Sequence, residues 1–309
     1  MSRVLVTGAG GFIGSRATDA LVNAGHDVWA VSSRGLDRVD GVRWMRGDLL
    51  DPTAARELIA QARPEWLLHF AWTAKPGVYW TSPENVQWVE ATLRLLREFA
   101  DRGGSRAVLA GTCAEYAWDG ASGVCAEGST PLSPKTLYGI SKNATRAVCE
   151  AFAAEVGVDL CWGRIFFLYG PAEPQARLVP SVARALLEGR EVPVSDGTQM
   201  RDFLHVDDVA AGFVTLLESN LTGAVNIGSG RGVAVREVVE LIGGAVGRPE
   251  LIQFGALAPR PGEPTELVAD VGRLRDEAGF EPRITLEDGI AATVAWWRQA
   301  LTTTTPAPR

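Results

Sequence analysis

Short apolar runs alternate with segments of helical periodicity through the first half of the chain. The runs are short and rich in β-branched residues, whereas the helical segments carry apolar residues three and four positions apart. The apolar runs lie at 3–6, 27–31, 42–46, 66–70, 107–110 and 159–167. The helical segments lie at 12–24, 52–62, 83–101 and 137–156. This alternation predicts an α/β fold built on a doubly wound parallel sheet.

The pattern changes after Pro171, where proline, arginine and glutamate become frequent and the elements shorten. Helices are predicted at 205–218 and 233–246, with a strand at 224–227 between them. We therefore expect a parallel-sheet domain over residues 1–170, rejoined by about 203–232. A smaller C-terminal region should be formed by residues 171–202 and 233–300. Residues 301–309, with four threonines and two prolines, are expected to be a disordered tail.

The predicted helix near 85–101 is apolar along two adjacent stripes, although packing on one sheet face needs only one. The first stripe consists of Val86, Val89, Leu93, Leu96 and Ala100. The second consists of Trp88, Leu95 and Phe99. Two interpretations remain open: either the helix is deeply buried, or the second stripe faces outward and forms a homodimer interface.

Charge and composition exclude several classes of protein. A net charge of −7 provides no basic surface to neutralise phosphates, so no nucleic-acid partner is expected. The four cysteines form no Cys-x-x-Cys pair and no cluster with histidine, so we expect free thiols and no metal site. No uncharged apolar stretch reaches the ~18 residues of a membrane span, and the N-terminal residues do not resemble a signal peptide. We therefore expect a cytoplasmic protein that does not interact with membranes.

A glycine-rich turn follows the first predicted strand directly. Gly8, Gly11 and Gly14 separate this strand from the first predicted helix, which begins with Phe12 and Ile13. Glycine lets the backbone approach a pyrophosphate closely, and the N-terminus of a helix attracts its negative charge. The turn therefore predicts a dinucleotide-binding Rossmann domain, with these five residues at the cofactor.

The end of the second strand indicates which dinucleotide to expect. Sites specific for NAD usually hold the ribose hydroxyls with an acidic residue at the end of this strand. Residues 31–36 contain no carboxylate, and the first acidic residue after the strand is Asp37. Ser33 and Arg34 follow the strand instead, and an arginine can bind the 2′-phosphate of NADP. The alternative is that Arg34 is a solvated surface residue. We expect NADP as the cofactor, with NAD as the alternative.

A tyrosine and a lysine lie four positions apart on the helix predicted at 137–156. Tyr138 and Lys142 therefore share one helix face, downstream of the strand that ends near Thr112. A neighbouring ammonium group favours the phenolate and is expected to lower the pKa of Tyr138 from about 10. Such a tyrosine can exchange a proton with a sugar oxygen while a nicotinamide exchanges the hydride.

In combination with further motifs, these residues resemble the extended short-chain dehydrogenase/reductases that act on nucleotide sugars. This family includes 4-epimerases, 4,6-dehydratases and 4-ketoreductases, and the resemblance extends to about Trp297. The additional motifs are Gly47-Asp48-Leu49, His69-Phe70-Ala71, Arg164 with Tyr169-Gly170-Pro171, the run 201–208, Asn226-Ile227-Gly228 and Arg260-Pro261-Gly262.

The resemblance implies roles for residues that spacing alone does not assign. Beyond the glycine turn, the implied cofactor residues are Asp48, Leu49, Phe70, Ala71, Tyr138, Lys142 and Phe166. The implied substrate residues are Thr112 on the reacting oxygen, Phe167, and Arg201 and Arg260 on the diphosphate. The implied structural residues are His69, His205, Asp207 and Asp208. The resemblance also implies a nucleotide-sugar substrate, bound by the C-terminal region, and a homodimer joined through the helices at 85–101 and 137–156.

The chain departs from the family pattern at several positions. Phe167 and Trp88 stand where the family often has asparagine. Dehydratases carry an Asp-Glu pair directly after the catalytic threonine, whereas this chain has Cys113 and Ala114. Glu115 follows one position late and is expected on the opposite side of an extended strand. These departures argue against dehydration.

We therefore expect NADPH-dependent reduction of a 4-keto-6-deoxy nucleotide sugar, as in deoxysugar biosynthesis. A nucleotide-sugar 4-epimerase is the alternative, since it would use the same residues. A 4,6-dehydratase and a non-catalytic cofactor-binding regulator fit less well. Trp72, Tyr79 and Trp80 follow the fourth strand and either line the sugar pocket or pack against the fold.

Overall fold

The strands and helices that the sequence predicts are present in the protein, together with further short strands and two helices, Leu178–Leu187 and Leu286–Thr304, that it did not predict. The computed structural model describes residues 1–33, 40–118, 123–258 and 262–304. In chain order the strands are β1 (Arg3–Thr7), β2 (Asp27–Ser32), β3 (Val42–Arg46), β4 (Trp66–His69), β5 (Arg106–Thr112), β6 (Val124–Cys125), β7 (Asp159–Ile165), β8 (Phe167–Tyr169), β9 (Val192–Pro193), β10 (Met200–His205), β11 (Gly223–Ile227), β12 (Gly232–Ala234), β13 (Ile252–Gln253) and β14 (Glu266–Ala269). The helices are α1 (Phe12–Asn23), α2 (Ala54–Ala62), α3 (Glu84–Asp101), α4 (Leu137–Val156), α5 (Leu178–Leu187), α6 (Val206–Glu218), α7 (Val235–Val246) and α8 (Leu286–Thr304).

Seven strands form one parallel sheet in the spatial order β3-β2-β1-β4-β5-β7-β11. Every neighbouring pair in it is parallel. The first three strands extend the sheet in one direction from β1, and β4 lies on the other side of β1. The side on which successive strands are added therefore changes between β1 and β4, and at such a switch point the carboxyl ends of the parallel strands form a crevice that commonly binds ligands.

The alternation of side chains along β1 divides the core into two layers. Val4 and Val6 face a cluster that includes Leu21 of α1 and Phe213 of α6. Leu5 faces the opposite cluster, which contains residues of α2, α3 and α4. The sheet therefore has helices on both faces, as the predicted doubly wound α/β fold requires.

The C-terminal half contributes a second sheet and a separate core. Strands β12, β10, β14 and β6 lie side by side, and β8 pairs with β10. Helices α5, α7 and α8 share a hydrophobic cluster. The strand predicted at 159–167 is broken at Phe166, because Phe166 N donates to Ile227 O while Phe167 pairs with Phe203 of β10. The chain thus leaves the central sheet after Ile165.

The C-terminal end differs from the sequence expectation. Helix α8 continues to Thr304, so residues 301–304 are helical rather than part of a disordered tail. The hydroxyls of Thr302 and Thr303 both donate to Gln299 O, which satisfies a carbonyl in the last turns of the helix. Residues 305–309 lie outside the described residues. Across the four described ranges, no helix is both long and apolar enough to cross a membrane.

Helix α3 exposes a different stripe from the one expected. Trp88, Leu95 and Phe99 are buried in the core beneath α3, so the second stripe is not an outer surface. The first stripe is the more exposed one, and Val86 has half of its surface accessible. The interpretation of the second stripe as a dimer interface is therefore wrong, because the core on this sheet face is deep enough to take up its three large side chains.

Candidate active site

The glycine turn places the N-terminus of α1 at the carboxyl ends of β1 and β4, where the side of strand addition changes. Gly8 has φ +69°, and a Cβ there would lie 2.7 Å from Ala71 N at the end of β4. A Cβ on Gly14 would lie 2.1 Å from Gly8 O, so only glycine allows this closure. Gly11 is the N-cap of α1 and supplies no side-chain hydrogen bond to it. The amide groups of the first turn therefore remain available for an anion.

The other predicted cofactor residues lie around this turn in different environments. Asp48 is exposed and its Oδ1 accepts from Leu50 N at 3.0 Å, whereas Leu49 is buried in the core. Phe70 packs edge-on against Phe213, with ring centroids 4.8 Å apart. Ser33 is exposed after β2. The remaining ones are the half-buried Phe12, Ile13 and Ala71 and the buried Phe166, while Arg34 lies outside the described residues.

This geometry fits a nicotinamide dinucleotide. The close packing of Gly8 against Ala71 leaves no side chain between the turn and the end of β4. Gly10 faces the Ser32 hydroxyl, from which a Cβ would be 3.0 Å away. A pyrophosphate at the N-terminus of α1 would be held by the backbone amides of Phe12 and Ile13, while Gly11 N donates to Gly8 O at 2.9 Å and closes the turn. When bound, the nicotinamide would supply hydride chemistry at the carboxyl ends of β4 and β5.

Thr112, Tyr138 and Lys142 come together from β5 and α4. Thr112 is the last residue of β5, and Tyr138 is in the first turn of α4. Thr136 caps that helix by accepting from Gly139 N at 3.1 Å. The Tyr138 phenol and the Thr112 hydroxyl share a hydrogen bond. The three predicted catalytic residues therefore form one cluster beside the glycine turn.

Lys142 is buried with its ammonium group held on two sides. Its Nζ donates to Ala110 O at 2.8 Å and lies 3.9 Å from the centre of the Trp72 ring. Burial lowers the pKa of Lys142 to about 7, although the Glu115 carboxylate acts in the opposite direction. The Lys142 amine is therefore close to losing its proton, and with it its positive charge, at neutral pH.

The pKa of Tyr138 differs from the sequence expectation. Burial raises the pKa of this phenol above its usual value, and nearby Tyr79 adds to the increase, while the hydrogen bond with Thr112 opposes it. The expected lowering of the Tyr138 pKa by Lys142 is therefore wrong: the pKa is set by burial among aromatic side chains, which disfavours a phenolate, and Lys142 is not among the groups that shift it. Tyr138 is accordingly held in its protonated form, which suits a proton donor.

Aromatic residues form a wall around the Tyr138 ring. Tyr79 and Trp80 lie edge-on to it, with ring centroids at 4.8 and 5.7 Å. Trp118 extends the wall from Trp80 at 5.9 Å. Trp72 instead contacts Lys142, and its Nε1 donates to Asn85 Oδ1 at 2.9 Å. The three aromatic residues after β4 thus surround the catalytic cluster.

Glu115 does not lie on an extended strand as expected. The chain turns after Thr112 into a short 3₁₀ helix, Cys113–Glu115. The Thr112 hydroxyl accepts from Ala114 N, and the Glu115 carboxylate accepts from Thr112 N, so a capping box ends the strand. Glu115 is fully buried and its Oε2 accepts from Arg164 Nε at 2.8 Å. It is therefore turned into the protein interior.

The residues directly after Thr112 offer no acid–base pair. Cys113 is buried, and burial raises the pKa of its thiol well above its usual range. Ala114 has no proton to transfer. All four cysteines are free and buried.

The predicted substrate residues are only partly described. The Arg201 guanidinium is buried, donates to Glu263 Oε1 at 2.9 Å and lies 5.4 Å from the centre of the Phe167 ring. Phe167 also packs against Phe203. Arg260 lies outside the described residues. Binding of a diphosphate by Arg201 stays a prediction, and it would require Glu263 to share or release the guanidinium.

The histidines and aspartates expected to be structural have structural contacts. His69 lies between the hydroxyls of Thr7 and Thr92, at 2.6 and 3.1 Å, and burial lowers its pKa to about 3. His205 caps α6 by accepting from Asp207 N. Asp208 accepts from Arg283 N and Ile284 N and so anchors the segment before α8, while Asp207 pairs with Arg16.

Three residues near the site were missed by sequence reasoning. Trp118 joins the aromatic wall, and the Arg177 guanidinium lies 5.4 Å from the centre of the Tyr79 ring. Glu173 is buried, and burial raises its pKa to about 8 against the opposing effect of Arg177. These residues were missed because their contacts join segments far apart in the chain. Their only signal in the sequence is that they lie near the motifs named above.

Comparison with known proteins now identifies the family. The model of the NAD dependent epimerase/dehydratase family matches residues 4–228. The chain belongs to this family. It is therefore an enzyme of the NAD-dependent epimerase/dehydratase type, and the resemblance to the extended short-chain dehydrogenase/reductases is confirmed.

Relatives within the family perform different reactions. A dTDP-glucose 4,6-dehydratase of Xanthomonas campestris pv. campestris is 29% identical over 333 residues, which cover 96% of this chain and 93% of the relative. A UDP-glucose 4-epimerase of Thermotoga maritima, solved with UDP-glucose, is 27% identical with a TM-score of 0.85, covering 96% of this chain and 99% of that one. MoeE5, solved with UDP-glucose and NAD, is 34% identical with a TM-score of 0.82, again covering 96% and 99%.

Proposed function

We propose that this enzyme reduces a 4-keto-6-deoxy nucleotide sugar with NADPH, in the biosynthesis of a deoxysugar. The nucleotide-sugar class is supported by the relatives, and coupled hydride and proton transfer by the Thr112, Tyr138 and Lys142 cluster. The substrate-binding region would comprise residues 171–202 and 233–300, including Arg201 and Arg260. The cofactor would lie on the glycine turn, with its adenosine toward Ser33, Arg34, Asp48 and Leu49.

The catalytic roles follow from the environment of each side chain. Tyr138, kept protonated by burial, donates its proton to the 4-keto oxygen as the carbonyl carbon receives hydride. Thr112, which already bonds to the phenol, fixes the position of that oxygen. Cationic Lys142 stabilises the phenolate that remains until solvent returns a proton.

The observation that carries the proposal is the aromatic wall against Tyr138. Reduction needs the sugar in one orientation, whereas epimerisation at carbon 4 needs the intermediate ketone to present its second face to the same cofactor. Tyr79 and Trp80 pack directly against the Tyr138 ring, and Trp118 extends from Trp80. These contacts favour a sugar held in a single orientation, and therefore reduction.

Dehydration is disfavoured by the residues after Thr112. Loss of the 6-hydroxyl needs a base for the proton at carbon 5 and an acid for the departing group. Cys113 is a buried thiol, Ala114 carries no ionisable group, and Glu115 is paired with Arg164 in the interior. A glucose nucleotide with oxidised cofactor should therefore give no 4-keto-6-deoxy product.

A nucleotide-sugar 4-epimerase is the second candidate, and two observations favour it. The T. maritima relative is a 4-epimerase, and MoeE5 was solved with NAD rather than NADP. An epimerase would use Thr112, Tyr138 and Lys142 in both directions and would return the hydride it removes. It would consume no cofactor, in contrast to a reductase.

The deciding experiment measures cofactor consumption. The protein is incubated with a panel of 4-keto-6-deoxy nucleotide sugars and NADPH or NADH, and separately with glucose and galactose nucleotides and only trace NAD. A reductase oxidises NADPH in proportion to product, whereas an epimerase interconverts the sugars with none consumed. Interconversion without net oxidation would overturn the reductase proposal. Inactivity on the whole panel despite cofactor binding would favour a regulator instead.

A further inference from the structure

Glu115 is a fully buried carboxylate that the proposed reaction does not use. Its Oε1 accepts from Thr112 N and from Trp162 Nε1, both at 2.9 Å, and its Oε2 accepts from Arg164 Nε at 2.8 Å. Unpaired buried charges are strongly disfavoured, so a carboxylate with three donors in the interior is a specifically constructed feature.

These donors connect Glu115 to both sides of the catalytic cluster. Thr112 is held through its backbone amide, so the carboxylate fixes the end of β5 on which the catalytic hydroxyl stands. The Trp162 indole, which donates to Glu115, also faces Lys142, whose Nζ lies 5.8 Å from the ring centre. A Cβ on Gly111 would lie 2.0 Å from Trp162 Nε1, so a glycine there is required for this contact.

Further polar contacts fix Arg164, the principal partner of Glu115. Its Nη1 donates to the Tyr116 hydroxyl at 3.2 Å, and that hydroxyl donates to Asn226 Oδ1 at 2.7 Å. Asn226 in turn donates to Cys125 O and Asp270 O. The network leaves the carboxylate little freedom to move away from the catalytic cluster.

The charged and titratable groups around the two residues come from four elements. Facing Glu115 are Arg164 of β7, Arg146 and Glu150 of α4, and Cys113, Tyr116 and Tyr138. Facing Lys142 are Glu115, His69 of β4, Cys149 on its own helix, and the protonated phenol of Tyr138 four positions earlier on the same helix face. His69 is neutral because burial lowers its pKa to about 3, and Cys149 is a neutral thiol because burial raises its pKa to about 12. Glu115 is therefore the anion that faces the Lys142 ammonium among the described residues.

We propose that Glu115 is a positioning residue, which holds Thr112 in place and supplies the buried negative charge that keeps Lys142 cationic. It touches neither substrate nor cofactor and acts through these two residues. The proposal rests on the proposed catalytic role of Lys142, but its electrostatic part can be measured on the protein without any substrate.

The chain is unusually suited to that measurement because it contains only three lysines, Lys75, Lys135 and Lys142. Protein labelled with ¹³C at lysine Cε should give three NMR signals. The double substitution Lys75→Arg, Lys135→Arg leaves Lys142 as the one labelled residue and assigns its signal. Its chemical shift followed against pH gives the Lys142 midpoint, expected at about 7 in the unsubstituted network.

Glu115→Gln tests the charge, because it preserves the shape and one acceptor oxygen. We expect the Lys142 midpoint to fall by about one pH unit or more, as for loss of an opposite charge nearby. Glu115→Asp keeps the charge, so the titration midpoint of Lys142 should lie close to that of the unsubstituted protein. Arg164→Lys is the matched control: it changes the geometry of the same buried pair but keeps both charges, so the titration midpoint of Lys142 should stay near its original value.

A second variant covers the case in which Glu115→Gln does not fold. Glu115→Leu combined with Arg164→Met removes both charges, which is much better tolerated than leaving one unpaired. This double variant should lower the titration midpoint of Lys142, as Glu115→Gln does. A midpoint unchanged by the loss of Glu115, or lowered equally by Arg164→Lys alone, would show that the carboxylate serves only the fold and would overturn the proposal.

Kinetics connect this result to the proposed reaction. If a substrate is found, the alkaline limb of kcat/KM should move to lower pH in Glu115→Gln by the same interval as the NMR midpoint, with rescue in Glu115→Asp. An NMR shift without any activity on the substrate panel would reject the proposed function and leave the effect of Glu115 on Lys142 standing. Activity with an unshifted midpoint would reject the inference alone.

Discussion

The ammonium group of Lys142 lies 3.9 Å from the centre of the Trp72 ring, so a buried cation faces an aromatic π system. Trp72 is itself fixed, because its Nε1 donates to the buried Asn85 side chain of α3. Asn85 in turn donates to Tyr79 O and Ser82 O in the preceding loop. The loop after β4 is thereby tied to the lysine of the catalytic cluster.

Replacing Trp72 should therefore weaken catalysis without removing any group that transfers a proton. A desolvated cation–π contact contributes about 0.5–2 kcal/mol, so Trp72→Leu should lower kcat by roughly two- to thirty-fold. Trp72→Phe keeps an aromatic face and should retain more activity than Trp72→Leu. Steady-state kinetics at fixed pH test this, with melting temperature as the control for folding. Equal loss in both variants would contradict the role of the ring face.

The Tyr138 phenol should account for most of the turnover. Tyr138→Phe preserves the ring that packs against Tyr79 and Trp80 but removes the proton. Loss of a positioned acid typically costs ~10²–10⁴-fold in rate, and the variant should still bind the cofactor. Turnover measured beside cofactor binding by calorimetry tests both parts. A Phe variant as fast as the parent would exclude Tyr138 as the proton donor.

Features set by local sequence could be predicted, whereas features set by distant pairing could not. The turn of Gly8, Gly11 and Gly14 lies within one strand-to-helix junction, so its spacing alone indicates its conformation. The break at Phe166 depends instead on Phe167 pairing with Phe203, a residue 36 positions away along the chain. No periodicity within 159–167 contains that information.

The environment of Glu115 could have been predicted from local sequence, but the strand pattern before it led to a different prediction. Thr112 and Glu115 have the spacing of a capping box, and the structure contains that box. The preceding strand pattern favoured continued extension and hence the wrong side for the carboxylate. The partner of Glu115, Arg164, lies on β7, so the ion pair could be predicted only once the fold was known. The same holds for the Trp72 contact with Lys142.

The buried His69 should make folding stability depend on pH. Its pKa is lowered to about 3 by burial, with Lys142 adding to the effect, whereas the unfolded chain titrates near 6.5. Between these values the unfolded state binds a proton that the folded state does not, so stability falls as pH falls through this window. The contribution is at most about 1.4 kcal/mol per pH unit.

His69→Gln removes that proton while keeping groups that can bond Thr7 and Thr92. Urea unfolding of both proteins at several pH values between 4.5 and 6.5 should give a flatter pH dependence for the variant. A dependence as steep as that of the parent protein would show that His69 is not the group responsible.

Cofactor preference should depend on Arg34. NADP(H) is expected to bind more tightly than NAD(H), because Ser33 and Arg34 replace the usual acidic residue after the second strand. A hydrogen bond to a charged group contributes about 1.5–3 kcal/mol, so Arg34→Ala should lower NADP(H) affinity by roughly 10–100-fold and leave NAD(H) nearly unchanged. Calorimetric titration of both cofactors measures this. Equal affinities in the parent protein would exclude the NADP assignment.

The surface formed by α3 and α4 should join two copies of this chain. The helices pack against each other and leave large apolar side chains about half exposed: Val86 at 50%, Ile140 at 48% and Val148 at 50%. On α4 the exposed stripe continues through Ala144, Ala147 and Ala151, whose small side chains allow a second helix to approach closely.

We therefore expect a homodimer at micromolar concentration, measured by light scattering. Val148→Glu places a charge in the predicted interface and should give a monomer, because an unpaired charge there would lose its solvation on association. Leu257 is similarly exposed, at 51%, but lies outside α3 and α4, so Leu257→Glu is the matched control and should remain dimeric. Val148 is ten residues from Tyr138 along α4, so the monomeric variant should still bind cofactor. A monomeric parent protein, or dissociation by both substitutions alike, would exclude this surface as the interface, whichever reaction the enzyme catalyses.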